Sequence, residues 1–398
     1  MQAVHSDRSG RIVLAADYGA AALDGPVATA LEGGIPLPSG ARIVPLADRE
    51  ALGLDRQGRP RPLGHARWAV AAILAPDAVR THLPACAPLP GAEPLEPLAY
   101  TAVAANERGE LVVAAMRGEH QVHPPADAAI ARAIADRLRA EPSNRLLRQL
   151  ARCAREYACP AARNAFFGVG ECALPIGAPK NDAAGPALAL RRRDERAPLD
   201  PVAPRASVAD IAAVAVRHLG AGGHGVSFGQ ACEGEPLAVP RTLVDAVVAV
   251  RAASSAGEIV LRTSASSGAA VGRAAEAGVD RFVVPLVSAD AATYERVHRP
   301  VGFRWSDVHA SLREVMARQV PLSIELLALP GLTDRAAEVE ALVSLLGELP
   351  DGTELRIADL AADAYALLAS LPRAGPTLGI APALARVSTD ASHVRRVA

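Results

Sequence analysis

Two carboxylates one residue apart, Glu233 and Glu235, close the stretch Gly225-Val-Ser-Phe-Gly-Gln-Ala-Cys-Glu-Gly-Glu-Pro-Leu237. A short apolar strand here runs into a glycine-rich acidic loop, and a helix is expected from near Arg241. Gly229 and Gly234 let a ligand come close to the backbone. Glu233 and Glu235 offer it negative oxygens, which suit an ammonium group, and Pro236 stiffens the exit. Other chemistry-bearing residues are sparse. Five cysteines, Cys86, Cys153, Cys159, Cys172 and Cys232, are an odd and thin set. That argues against a disulfide framework and for a reducing, cytoplasmic setting. His120 and His123 have a spacing a metal could use, although loop histidines are ordinarily solvated. Cys153 falls on one helical stripe with Leu146, Leu150 and Tyr157, which places it in a core.

A loop of this kind matters most at the carboxyl ends of parallel strands, and the surrounding pattern supplies them. Ser207 with Asp210 resembles a capping box for a helix running to Gly220. Strands are expected at 226–228, 259–263, 281–287, 321–329 and 354–360. Helices are expected at 241–253, 268–277 and 305–317, with a further one capped by Thr333. Such alternation means a parallel sheet with crossover helices. With about five or six units it is too short for a closed eight-fold barrel. The expected fold is therefore α/β: a partial parallel (β/α) barrel over 173–370 behind a small β-containing N-terminal domain over 1–125. A helical connector spans 126–172, with Ser143 capping its second helix, and the tail at 371–398 carries no readable pattern. Within the N-terminal region, Ala41–Leu46 and Trp68–Leu74 read as strands. Residues 100–105 and 110–115 read as a hairpin around a polar turn.

Half of the 398 residues are hydrophobic but only 3% are aromatic, so the core must be built from Ala, Val and Leu. A net charge of −1 gives no long-range attraction to nucleic acid or to an anionic membrane, so neither is expected as a partner. No apolar run approaches the ~20 residues needed to span a bilayer. The N-terminus lacks a basic region followed by an apolar one, so no signal peptide is expected.

The chain from about 145 to 365 resembles radical S-adenosylmethionine proteins. The resemblance rests on Val226 to Leu237, Thr263-Ser-Ala-Ser266, Ala277-Gly-Val-Asp280, Ser288-Ala289, Tyr294, Arg299-Pro300 and Leu329-Pro-Gly-Leu-Thr-Asp334. The segment Arg152 to Pro160 is similar to the lead-in helix of one subgroup. The resemblance implies a [4Fe–4S] cluster held by a Cys-x3-Cys-x2-Cys loop after the first barrel strand, because soft thiolates stabilise such clusters. It also implies S-adenosylmethionine, its amino group met by Glu233, Gly234, Glu235 and Pro236 and its ribose by Ser264 and Ser288. Yet the implied cluster loop reads Ala173-Leu-Pro-Ile-Gly-Ala-Pro-Lys-Asn-Asp-Ala-Ala-Gly-Pro-Ala187, with Lys180, Ala184 and Ala187 where thiolates would stand. Arg262, Ser264, Val287, Glu325 and Ile357 also stand where the subgroup is richer in asparagine. No catalytic residue and no metal ligand is assigned. The expectation is a non-catalytic binding or partner protein, a pseudoenzyme with an unknown protein or small-molecule partner. Its alternative is an active enzyme that uses an unusual cluster, for instance through Cys153, Cys159, Cys172 and Cys232, or uses S-adenosylmethionine without one. The run Arg191 to Arg196 reads as a solvated linker, or as a contact for an acidic partner or a phosphate.

Overall fold

The computed structural model describes all residues except 26, 39, 75–77, 97, 118–126, 158, 183–205, 231–233, 373–374 and 398. His120, His123, Ala184, Ala187, Cys232, Glu233 and the run from Arg191 to Arg196 therefore lie outside the described residues.

Residues 2–117 are built from short strands: β1 (Gln2–Ser6), β2 (Ile12–Asp24), β3 (Val27–Ala30), β4 (Ile35–Pro36), β5 (Arg42–Leu54), β6 (Pro60–Pro62), β7 (Trp68–Ile73), β8 (Ala78–Arg80), β9 (Leu83–Pro84), β10 (Cys86–Pro88), β11 (Tyr100–Ala105), β12 (Leu111–Val113) and β13 (Ala115–Arg117). The antiparallel path runs β10-β5-β2-β1-β7-β11-β12-β4, and β5 also pairs with β7. Strands β5, β2, β1 and β7 thus close on themselves, which removes sheet edges. Ala3, Ala15, Ala69 and Ala71 fill the interior beside Val44, Leu46 and Leu98, the small-residue core that the aromatic-poor composition requires. Three turns repeat one device. Asp7 accepts the Ser9 and Arg11 N–H groups, Asp55 those of Gln57 and Arg59, and Asn106 those of Arg108 and Glu110. A short side chain that bonds its own backbone two and four residues on fixes each hairpin.

Helices α1 (Asp127–Ala140), α2 (Arg145–Glu156) and α3 (Pro160–Phe167) follow. Asn144, rather than Ser143, caps α2. Its side-chain oxygen accepts from Leu147 N–H at 2.9 Å while its amide donates to the Asp210 carbonyl at 3.1 Å, so one buried residue serves two helices. Leu146, Leu150 and Cys153 are buried, as their stripe predicts.

The second unit contains β14 (Glu171–Ala173), α4 (Val208–Gly220), β15 (Gly225–Phe228), α5 (Pro240–Ala253), β16 (Glu258–Arg262), α6 (Gly268–Ala277), β17 (Arg281–Leu286), α7 (Ala291–His298), α8 (Trp305–Ala317), β18 (Leu322–Ala328), α9 (Ala336–Gly347), β19 (Glu354–Asp359), α10 (Ala364–Ser370), α11 (Ile380–Asp390) and β20 (Arg395–Val397). Its strands are all parallel and lie in chain order from β14 to β20. Chain order with right-handed crossovers puts the connecting helices on one face, and α4 packs on α5, α5 on α6 and α6 on α8. The α/β parallel unit is present; among the described residues its two edge strands do not pair, so the sheet stays open. Ser207 and Asp210 form the anticipated capping box.

Three expectations need correction. The segment after 370 is structured, since α11 packs on α9 and β20 adds a strand beside β19. Thr333 does not cap α9, whose N-cap is Arg335; its hydroxyl turns back to the Leu329 backbone instead. Helix α7 was not anticipated. Asp290 caps it by accepting from Thr293 N–H.

Alternation along the strands divides the two faces of the sheet. Ile259, Leu261, Phe282, Val284, Ile324, Leu326 and Leu355 enter the helix-side core. The residues between them, Arg262, Arg281, Ser323, Glu325, Glu354 and Arg356 among them, take the opposite face. The N-terminal unit rests on the loops after β17, β18 and β19. Leu83 packs with Val287, Leu329, Leu332 and Leu360. The wholly buried Arg80 donates to the Leu360 carbonyl at 2.6 Å and pairs with Asp359 at 3.7 Å. Tyr365 donates to the Pro84 carbonyl across the same junction.

Candidate functional site

The carboxyl ends of β14 to β17 gather the loops singled out in the sequence. Gly229 and Gly234 sit at φ 82° and 92°, where side chains are disfavoured. A Cβ on Gly229 would lie 1.7 Å from the Arg262 carbonyl oxygen, and one on Gly234 would lie 2.1 Å from that of Ala178. Both glycines therefore serve a close approach of the protein's own backbone. Gly234 is what lets the loop after β15 press against the segment that leaves β14.

Glu235 is buried, and its carboxylate is occupied. Thr263 Oγ1 donates to it at 2.6 Å, Ser264 N–H at 2.7 Å and Leu237 N–H at 2.9 Å. Burial pushes its pKa up, and these donors oppose that shift. Pro236 is buried and starts a single helical turn over Pro236–Ala238. The Ser264 hydroxyl accepts from the Asn181 amide at 3.1 Å. The Ser288 hydroxyl donates to Glu338 at 2.5 Å and accepts from Asp290 N–H, and Ser288 does not line the cavity described below. The structure thus brings Gly234, Glu235 and Ser264 together and sets Ser288 apart.

The altered lining positions separate in the same way. Arg262 and Glu325 form an ion pair at 2.5 Å across β17, on the face away from the helices. Ile357 packs against the helix-side core and Val287 into the junction with the N-terminal unit, so neither lines the cavity. The same polar face carries Gln230 donating to Glu171 and Ser227. At the amino ends of the strands, Glu354 is held by Arg281, Arg356, Arg395 and Ser323.

A group that the sequence reading did not find ties the segment leaving β14 in place. The Val287 N–H donates to His298 Nε2 at 3.1 Å, so the ring proton sits on Nδ1, which faces Asp182 Oδ2 at 3.2 Å. With Nε2 facing a backbone N–H and Nδ1 facing Asp182, the His298 ring is held on both sides, and the Asp182–His298 pair acts as a strut. The Tyr294 ring stacks on His298 at 4.0 Å and leans on Trp305 at 4.7 Å. The one signal for this group in the sequence was the Tyr294-x3-His298 spacing, which places both rings on one helical face.

Lys180, Asn181, Asp182, Gly234, Glu235, Arg262 and Ser264 line a cavity of about 30 Å³. This is the space left among the described residues at the mouth. None of these lining residues is a cysteine, so they offer an iron–sulfur centre no thiolate, and Lys180, the only lysine of the chain, brings an ammonium instead. Burial pushes the thiol of Cys153 up to about 12 and raises those of Cys159 and Cys172, so in the absence of a metal they are unreactive thiols. Among the described residues no group of three or more His, Cys, Asp or Glu is placed to hold a metal ion. No described helix is long and apolar enough to cross a membrane.

No protein-family model matches the chain, and no curated protein does. Among solved structures, the chain is similar to HydG, a maturase of the [FeFe]-hydrogenase, at 11% identity and a TM-score of 0.41, over 68% of this chain and 66% of that one. It is similar to methylornithine synthase (PylB) at 14% identity and a TM-score of 0.39, over 68% and 74%. It is similar to a radical SAM methyltransferase from Sphaerobacter thermophilus at 16% identity and a TM-score of 0.35, over 56% and 64%.

Proposed function

We propose that the chain is a radical S-adenosylmethionine-like protein whose partial barrel no longer builds a cluster and which acts as a non-catalytic binding or partner protein. The observation that supports this most is the segment after β14. By the resemblance, Lys180, Asn181 and Asp182 fall where a cluster loop would stand, and Asp182 and Asn181 are tied to His298 and Ser264 of the protein itself. The occupied carboxylate of Glu235 and the Arg262–Glu325 pair add to it, since both spend on the fold groups that a cofactor would otherwise use.

The test is iron and acid-labile sulfide on protein purified and reconstituted without oxygen, together with equilibrium dialysis against S-adenosylmethionine. The expected result is no iron, no sulfide and no saturable S-adenosylmethionine binding. About four irons per chain would overturn the reading and direct attention to Cys153, Cys159, Cys172 and Cys232. Saturable binding without iron would favour cluster-free use of S-adenosylmethionine.

A further inference from the structure

Two turns meet where the N-terminal unit rests on the mouth of the parallel sheet. One ends β2 at Asp24–Gly25; the other follows β18 at Pro330–Asp334. Their backbones touch, because a Cβ on Gly331 would lie 2.5 Å from the Gly25 Cα. The strand-like segment at Thr377 binds both turns. Its hydroxyl donates to Asp24 at 2.8 Å, it bridges to Arg335, and the next N–H, of Leu378, donates to the Asp334 carbonyl at 2.9 Å. Asp334 is wholly buried. One carboxyl oxygen accepts from Gly331 N–H at 2.7 Å, and the other has no hydrogen-bond partner among the described residues.

The charges around Asp334 do not neutralise it. Burial raises its pKa most, and Asp24 from the N-terminal unit raises it further, against the opposing Gly331 N–H and Arg335. Arg335 is the neighbouring cation, but its Nε donates to the Gly331 carbonyl. His82 faces Asp24 from the same N-terminal unit, and burial pushes its pKa down, so it brings little charge at neutral pH. A buried carboxyl that faces a second carboxylate and lacks a cation of its own is most stable with a proton on it.

We propose that this junction is a proton-operated latch, seating the N-terminal unit on the mouth when Asp334 is protonated and loosening it when that proton leaves. The sign follows from linkage. Burial holds the seated carboxyl up at about 6, against an ordinary carboxylate value of 3.8. The gain from seating is thus complete below the ordinary value and lost as pH rises through about 6. The latch does not depend on whether the mouth binds S-adenosylmethionine.

Hydrogen exchange of the full chain, corrected for the chemical exchange rate, tests it at about pH 5 and about pH 7.5. Peptides covering 20–25, 78–84 and 329–335 should open about tenfold more readily at the higher pH. Asp334→Asn, neutral at every pH, should keep them protected at both. Asp24→Asn, which removes the facing charge, should shrink the difference. Equal protection of the parent protein at the two pH values would overturn the latch. So would a pH difference that survives unchanged in both variants.

Discussion

Arg262 and Glu325 are 16% and 12% exposed as side chains, so their ion pair is mostly shielded from water. Removing one partner takes a charged contact from the other in a poorly hydrated site, whereas removing both leaves neither charge behind. Arg262→Met or Glu325→Gln should each cost about 2 kcal/mol in urea unfolding. The double variant Arg262→Met/Glu325→Met should stay within about 1 kcal/mol of the parent. Equal losses in the single and double variants would mean that packing of the side-chain stems, not charge pairing, holds this face. The pair was only half legible in the sequence. Both residues stood out as unusual at the mouth, but they lie 63 positions apart and meet only once strand order and face are known. The Asp182–His298 strut was hidden for the same reason, with 116 positions between its members.

At the scale of elements, local chemistry was legible wherever a short-range bond decided the outcome. The Ser207–Asp210 capping box needs three residues of context, and α6 and α8 needed only their apolar spacing. Elements set by tertiary contacts were not legible: β20 forms because β19 offers it an edge, and the cap of α2 shifted to Asn144 because Asp210 is within reach. The glycines after β15 were expected to admit a ligand, but the neighbour that demands Gly234 is Ala178, in a distant segment. Gly234→Ala places a methyl group against that carbonyl and a side chain at positive φ. The substitution should cost about 3 kcal/mol or more, and local exchange should rise across 174–182 as the two loops part. Unchanged protection there would show that the segment is held by Asp182 and Asn181 alone.

Across the whole molecule, Glu354 joins four consecutive strands, receiving Arg281 from β17, Ser323 from β18, Arg356 from its own strand and Arg395 from β20. Burial alone would raise its pKa, but these hydrogen bonds and cations bring it down to about 2. A carboxylate held below its ordinary value stabilises the fold fully above that value and loses this contribution as pH falls. Global stability should therefore decline from about pH 4.5 towards about pH 2, and Glu354→Gln should flatten that part of the profile in denaturant titrations. A profile identical to the parent's would assign the acid sensitivity to other carboxylates.

Lys180 has one more consequence. A chain that uses arginine at every other fixed cationic position carries a single ε-amine, and that amine stands at the rim of the cavity. This sequence offers an amine-directed reagent one ε-amine, so a fluorophore or a photocrosslinker can be directed there without mutagenesis. Whatever approaches the mouth in a mixture of cellular molecules could then be captured from that one fixed point.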